Sequence, residues 1–458
     1  MISDQGETII AVATPLGKGA LAVIRLSGPQ ARVLTEGQFH RSTQDQLQSR
    51  LPTLGEFWDS QKNCLDRVLV TFFQRPDSFT GEDVVEISCH GSPVVTRQIV
   101  ETMLEKGARL AEPGEFTQRA FLNGKMDLAQ AEGLRDLIES RTAFQAKLAY
   151  EQLGGSLSLR LTPLKEEIVR VLCHIETSLE FVEDDVEPQA RASLAADLEK
   201  TERDLQKLEE SFALGRIILE GATAVIVGKP NVGKSLIFNN LLEFNRAIVT
   251  DFPGTTRDVL AETIDVDGIP TRLVDTAGIR EARDRIERLG VEKSLESAAE
   301  SDVAIFVLDG SRPFEQEDWR IWELVRKRTC FLVVNKEDLT RQLQIPPELE
   351  GSGVLSVAVS ALKGTHLQEL RKMLSRALLP PQRVEQEAVL LTDIRHKRCI
   401  QKAREHLQAG IQSYKDGLSE EFPLYDFRKA LDALGQITGE TTVEDLLDQV
   451  FSTFCIGK

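Results

Sequence analysis

Hydrophobic and polar positions fall into three textures along the chain. From residue 8 to about residue 120, short β-branched runs read as strands bounded by Gly, Pro or Asp: TIIAVATP, ALAVIRLSG, RVLVTFF and DVVEISCHG. One segment there, SPVVTRQIVETMLEKGA, has helical spacing instead. Val95, Ile99, Met103 and Leu104 share a face, and Gly107 is placed to end the helix. From about residue 125 to 215 the pattern is helical. Leu128, Ala131, Leu134 and Leu137 recur at three, and Leu161, Leu164, Ile168, Val171, Leu172 and Ile175 follow the i, i+3, i+4, i+7 rule; Leu198, Leu205 and Leu208 extend it.

From about residue 219 to 380 strands and helices alternate, as in a doubly wound nucleotide-binding sheet. TAVIVG is a strand and SLIFNNLLEF a helix. AETIDVDGIPTRLVDTAG is a hairpin turning at Asp267 and Gly268, and VAIFVLDG, CFLVVNKED and VLSVAVSA are buried strands. After Pro380 and Pro381 helical spacing returns and runs to the end. The expected architecture is a multidomain α/β protein. It has an α+β N-terminal domain (1–122), a discontinuous helical bundle (123–218 and 383–458) and a P-loop domain with a mixed, mostly parallel sheet (219–382) inserted between the two helical parts. The last helical segment is too short to bury a core alone, and a domain with adjacent termini tolerates insertion.

Composition changes this picture little. The 458 residues carry 41% hydrophobic and 28% charged side chains, ordinary for a globular protein. No apolar run approaches the ~20 residues that span a bilayer, and the N-terminus MISDQGETIIAVATP lacks a basic region before a long apolar core, so the expected location is cytoplasmic, with no membrane partner. A net charge of −17 excludes bulk attraction to nucleic acid; an RNA partner must meet a local basic patch. The six cysteines, Cys64, Cys89, Cys173, Cys330, Cys399 and Cys455, show no C-x-x-C spacing, and most are expected to be small buried apolar residues.

The candidate chemistry lies in the third texture. GKPNVGKS, Gly228 to Ser235, matches G-x-x-x-x-G-K-S, follows a strand and opens a helix. Its glycines let backbone N–H groups close around phosphate oxygens at the positive end of the helix. Lys234 is suited to the β- and γ-phosphates and the Ser235 hydroxyl to Mg²⁺. DTAG follows, with Asp275 placed to hold Mg²⁺ through water and the Gly278 amide to meet the γ-phosphate. NKED comes third: the Asp338 carboxylate can accept from the guanine N1–H and N2–H₂ donors that adenine lacks, and Asn335 can reach the other edge. SAL, Ser360 to Leu362, comes fourth and offers a backbone amide to guanine O6. Each motif alone is weak; the ordered set specifies GTP over ATP. The expected nucleotide contacts are Asn231, Val232, Gly233, Lys234, Ser235 and Leu236; Thr250, Asp251, Phe252, Pro253, Gly254, Thr255 and Thr256; Asp275, Thr276, Ala277 and Gly278; Asn335, Lys336, Glu337 and Asp338; and Ser360, Ala361 and Leu362. Thr256, with Thr255 the competing choice, completes the Mg²⁺ shell beside Ser235.

Many GTPases place a water-orienting glutamine just after the DTAG glycine; here that position is Ile279. Two features can replace it. The Asn231 amide oxygen, with oxygens from the Thr250–Thr255 loop, can hold a K⁺ ion that neutralises developing charge as an arginine finger does, an effect of roughly 10³–10⁵ in rate. An acid in REARDRIERLG (Glu281, Asp284 or Glu287) can orient water, although such acids more often form a solvated helix face.

Several stretches resemble one family, the MnmE (TrmE) tRNA-modification GTPases. They are TPLGKGALAVIRLSG at 14–28, SFTGEDVVEISCHG at 78–91, RLAEPGEFTQRAFLNGKMDLAQAE at 109–132, TDFPGTTRDV at 250–259 and the terminal FCIGK at 454–458. The resemblance covers essentially the whole chain. It implies an N-terminal domain that binds a tetrahydrofolate derivative (5-formyl or 5,10-methylene) through Arg25, Glu86, Lys125 and Lys458 and forms a homodimer. It implies K⁺ held by Asn231, Thr250, Phe252 and Thr255, and it selects Glu287 as the catalytic water-orienting acid. Phe252 departs from the aliphatic residue expected there, which matters little if its backbone carbonyl makes the contact. The resemblance further implies activation by G-domain pairing across the dimer. It also implies a heterotetramer or larger assembly with an FAD- and NADH-using partner, MnmG (GidA). That assembly would add an aminomethyl or carboxymethylaminomethyl group at C5 of the wobble uridine (position 34) of certain tRNAs.

Within that resemblance Cys455 reads as a functional thiol near folate and uridine, whereas sequence alone favours an inert frayed tail. Arg395, Arg398 and Lys402 share a helix face, with His396 and Lys397 beside them, and such a patch can meet tRNA phosphates, though more often it is simply solvated. The competing function is a ribosome-assembly or translation GTPase, which shares all four nucleotide motifs but is expected to carry a basic RNA-binding module rather than an acidic helical tail ending in a thiol.

Overall fold

A computed structural model describes residues 6–41, 46–180, 188–244, 261–275, 301–351, 353–378, 389–441, 444–455 and 457. Two compact units emerge. The first comprises Met1–Arg135, Gln152–Lys165 and Arg428–Lys458, the second Asp136–Glu151 and Glu166–Phe427.

In the first unit the β-branched runs form β1 (Ile9–Val12), β2 (Leu21–Ser27), β5 (Cys64–Phe73) and β6 (Val84–His90). With β3 (Phe39–His40), β4 (Thr53–Trp58) and β7 (Arg109–Leu110) they make a seven-stranded sheet, ordered β3-β4-β5-β6-β2-β1-β7. The helices among them are α1 (Ala31–Glu36), α2 (Pro93–Glu105) and α3 (Glu115–Leu122). Pairing is antiparallel except where β7 runs parallel to β1. Strand alternation sends Ile24, Leu26, Val85 and Ile87 into one buried core with Ile99 and Met103 of α2. It sends Arg25 and Glu86, which are register partners, to the other face. β4 was not anticipated because Gly55 interrupts its pattern. That glycine is required: a Cβ there would lie 2.5 Å from the His40 carbonyl oxygen and the Phe39 ring. A second cluster joins Leu128 and Ala131 to Leu447, Val450, Phe451 and Phe454, so the chain's last residues are built into the same unit as its first.

Three helices follow α3: α4 (Leu128–Glu139), α5 (Ala143–Leu153) and α6 (Ser156–Glu180). The second unit continues with α7 (Pro188–Glu210), α8 (Phe212–Glu220), β8 (Ala222–Val227), α9 (Lys234–Phe244), β9 (Ala261–Val266), β10 (Ile269–Asp275) and β11 (Val303–Asp309). Next come α10 (Gln316–Val325), β12 (Thr329–Asn335), α11 (Pro347–Glu350), β13 (Ser356–Ala358) and α12 (Leu367–Leu378). The chain closes with α13 (Ile394–Lys415), α14 (Glu421–Thr438) and α15 (Glu444–Phe451). The six-stranded sheet is ordered β13-β12-β11-β8-β10-β9 and is parallel except for edge strand β9. Both faces are buried, as a parallel sheet requires: Ile226, Ile305 and Val333 pack to one side, Val225, Phe306 and Val334 to the other. The β9–β10 hairpin turns at Asp267 (φ 51°) and Gly268 (φ 93°), the left-handed pair of a tight hairpin turn.

The helices on either side of this sheet in sequence meet in space. Arg404 of α13 donates to Glu202 at 2.7 Å and also pairs with Glu209, both on α7, and Gln401 donates to Glu209 at 2.7 Å. Gly410 lets α13 approach α14, since a Cβ there would lie 2.5 Å from the Phe427 ring. The expected fold is therefore present, a discontinuous helical region with the nucleotide-binding sheet inserted in its sequence. Among the described residues no helix is long and apolar enough to cross a membrane.

The cysteine expectation needs correction. Only Cys89 and Cys399 are buried, Cys330 is half-buried, and Cys64, Cys173 and Cys455 are exposed. Cys173 lies off the apolar stripe of α6 that carries Ile168, Val171, Leu172 and Ile175. Burial raises the Cys330 thiol to about 12 and the Cys89 thiol to about 11, which keeps both protonated.

One buried charge cluster stands out in the first unit. Glu115, 1% exposed, accepts from Arg109 at 2.6 Å, from Arg119 at 2.9 Å and from the Glu112 amide at 2.9 Å. Burial alone would raise its pKa, but the donors outweigh burial and hold it below the ordinary 4.5. A depressed folded-state pKa contributes stability that is present above 4.5 and is lost as pH falls through the folded value. Glu115→Gln is expected to cost about 3 kcal/mol at neutral pH by stranding the arginines. It should also flatten the acid limb of stability below pH 4.5, read by urea unfolding across pH.

Candidate nucleotide-binding site

The loop Gly228–Gly233 leaves β8, a central strand of the six-stranded sheet, and enters the N-terminus of α9. β10 lies on one side of β8 and β11 on the other, so the loop sits where strand order reverses, the usual crevice for ligands in open α/β sheets. Two glycines make the geometry possible. A Cβ on Gly228 (φ 155°) would come within 2.4 Å of the Val307 carbonyl oxygen, and one on Gly233 (φ 99°) within 2.2 Å of Asn335 Nδ2. Asn231 takes a left-handed backbone (φ 63°), which asparagine tolerates better than most residues, and its side chain is exposed. Lys234 is buried at the head of α9 and donates to the carbonyls of Gly228 at 2.9 Å and Lys229 at 2.8 Å. Ser235 Oγ donates to Asp275 Oδ2 at 2.8 Å, and Asp275 ends β10 opposite Ile226 of β8. A hydroxyl and a carboxylate side by side form the hard oxygen set that suits Mg²⁺.

The base-recognition motifs are tied to this loop by Asn335, which is almost fully buried at the end of β12. Its Nδ2 donates to the Val232 carbonyl at 2.8 Å and its Oδ1 accepts from the Ala361 amide at 3.0 Å. Asn240 of α9 donates to the Ala361 carbonyl at 2.8 Å, closing the ring of contacts. Ser360 Oγ donates to Asp338 at 2.6 Å and holds that carboxyl below the usual carboxylate range, so it stays ionised as a guanine acceptor should. Lys336 adopts a left-handed backbone (φ 66°) and donates to Asp309 at 2.6 Å. Glu337 and Leu362 are exposed, and Leu236 faces outward from the first turn of α9. Asp309 and Asn240 were missed at the sequence level because they lie outside the four motifs and meet them only through the fold.

The first unit contains the second candidate site. Arg25 donates to Glu86 through Nε at 3.0 Å and Nη2 at 2.7 Å, with its guanidinium 5.4 Å from the Phe79 ring centre and 5.9 Å from that of Phe116. Planar groups flanked by aromatic rings suit a flat heterocycle with hydrogen-bonding edges. Lys125 is exposed, with its chain beside Gly81. Gly457 closes on β1, where a Cβ would lie 2.5 Å from the Val12 carbonyl, and exposed Cys455 accepts from the Gly114 amide through its backbone oxygen at 3.4 Å. On α13, His396 is fully buried and Lys397 lies 5.0 Å from the Phe212 ring, while Arg398 and Lys402 are exposed. Outside the described residues lie Thr250, Asp251, Phe252, Pro253, Gly254, Thr255, Thr256, Thr276, Ala277, Gly278, Ile279, Glu281, Asp284, Glu287 and Lys458.

Residues 128–455 match the family description "MnmE helical domain", and residues 8–125 match "GTP-binding protein TrmE N-terminus". The tRNA modification GTPase MnmE of Koribacter versatilis is 42% identical over 455 residues, covering 99% of each chain. The protein of the same name from Aquifex aeolicus is 41% identical over 453 residues, covering 99% of this chain and all of its own. A solved structure of Aquifex aeolicus Era is 27% identical, covers 41% of this chain and 67% of its own, and has a TM-score of 0.28. The chain belongs to the MnmE family of tRNA modification GTPases.

Proposed function

We propose that the chain is a K⁺-dependent GTP hydrolase, activated by pairing of its G domains in a homodimer. With an FAD-dependent MnmG-type partner it modifies C5 of the wobble uridine of certain tRNAs, using a one-carbon unit from tetrahydrofolate. The observation that carries this reading is the full-length relationship to curated tRNA modification GTPases, supported by the phosphate loop and base-recognition residues that Asn335 joins.

The chain's own residues divide the work as follows. The amides of Asn231–Ser235 and the α9 N-terminus receive the phosphates, and the buried Lys234 ammonium, seated on the Gly228 and Lys229 carbonyls, adds positive charge to the loop. Asn335, Asp338 and a backbone amide of Ser360–Leu362 read guanine. Ser235 and Thr256, with Asp275 behind them, would hold Mg²⁺; Asn231, Thr250, Phe252 and Thr255 would hold K⁺. Together these ions supply, when bound, the positive charge that offsets negative charge developing between the phosphates. Glu287 aligns the attacking water in place of the glutamine that Ile279 lacks. In the first unit Arg25, Glu86, Lys125 and Lys458 would bind the folate, the source of the transferred carbon. Cys455 serves the modification step beside it, because Gly457 brings the terminal motif against β1 and Cys455 is exposed.

Steady-state GTP hydrolysis is expected to be at least about tenfold faster in K⁺ than in Na⁺, and Asn231→Ala should abolish the difference. Equal rates in both salts would remove the K⁺ role. Cys455→Ser is expected to lose tRNA modification, scored by nucleoside mass spectrometry, while GTP turnover is retained. Full modification by that variant would assign the thiol no part in the chemistry.

A further inference from the structure

The segment 309–318, from the last residue of β11 to the first turn of α10, carries carboxylates that reach lysines on both nucleotide loops. At its start Asp309, 4% exposed at the side chain, accepts from Lys336 Nζ at 2.6 Å. Its other oxygen accepts from the Ser311 amide at 2.9 Å and hydroxyl at 2.7 Å. At its end Asp318, 2% exposed, pairs with Lys229 of the phosphate loop at 2.7 Å, and Glu315 pairs with the same ammonium at 2.8 Å. Glu315 and Asp318 also form the reciprocal capping box of α10, so the lysine is anchored to a helix terminus and not to a loose chain. Backbone contacts reinforce the arrangement: the Gly310 amide donates to the Asn335 carbonyl at 2.8 Å, and the Gln342 amide donates to the Gly310 carbonyl at 2.9 Å.

Both lysines sit where their backbones matter. Lys336 lies between the base readers Asn335 and Asp338 in a left-handed conformation unfavourable for a side chain with a Cβ. Lys229 offers its carbonyl to Lys234. We infer that residues 309–318 form a brace. Asp309 positions the guanine-reading loop through Lys336, and Asp318 with Glu315 positions the phosphate loop through Lys229, so the two loops are held in register by one rigid segment. In this arrangement the carboxylates act through the lysines they hold. This inference rests on the guanine-nucleotide reading above.

The two ends of the brace predict different losses. Fluorescent GDP and IDP, which lacks the 2-amino donor, are titrated against the full-length protein and its variants. Asp309→Asn is expected to weaken GDP about tenfold and to narrow the GDP/IDP preference. Lys229→Met is expected to weaken both ligands by about the same factor and leave the preference unchanged. Asp309→Asn should add nothing in a Lys336→Met background, and Asp309→Glu should recover most of the binding. Lys336→Met alone breaks the same pair from the other side if Asp309→Asn folds poorly. A wild-type protein without guanine preference overturns the GTPase reading and the brace together. A wild-type preference that survives Asp309→Asn and Lys336→Met unchanged, or equal losses of preference from both ends, overturns the brace alone.

Discussion

The nucleotide site depends on one buried amide. Asn335 bonds two other recognition segments at once, giving its N–H to the Val232 carbonyl and accepting one from the Ala361 amide. Both bonds are buried, where an unmet partner costs about 1–3 kcal/mol, so each segment helps to hold the other two. Gly233 meets the same constraint sterically: a Cβ there would lie 2.2 Å from Asn335 Nδ2, so the phosphate loop can come this close only because residue 233 is glycine. The phosphate loop and the NKED and SAL segments are thus joined through one side chain.

Much of this was legible in the sequence. The phosphate loop, the β9–β10 hairpin and the buried strands follow from motif spacing and apolar runs, because a parallel sheet covered on both faces leaves a strong hydrophobic signature. The pairing of α7 with α13 was legible only as an inference about insertion, since each helix shows an apolar stripe but not its partner. The weak points have physical causes. β3 and β7 are two residues long, and β4 carries Gly55 at a close approach, so no periodicity reveals them. The lysine partners Asp309, Glu315 and Asp318 lie 27 to 89 residues from the lysines they hold, and charged residues at that separation look like ordinary surface in a linear reading.

The first unit shows how far-apart segments come together. Arg25 and Glu86 meet because β2 and β6 pair in register, and the chain's last helix is held in the same unit because Phe451 and Phe454 pack with Leu128 and Ala131. A terminal motif that would fray in isolation is held by an apolar anchor, which is why Cys455 is exposed yet positioned. The buried Glu115 cluster fixes the start of α3 beside this face and links Arg109 to Arg119.

Asn335 joins the NKED segment to the phosphate loop by donating to the Val232 carbonyl. Asn335→Asp keeps the shape and replaces that donor with an acceptor facing a carbonyl. GDP dissociation by stopped flow should then accelerate at least about tenfold, the kinetic counterpart of losing a buried hydrogen bond. A dissociation rate equal to wild type would contradict the account.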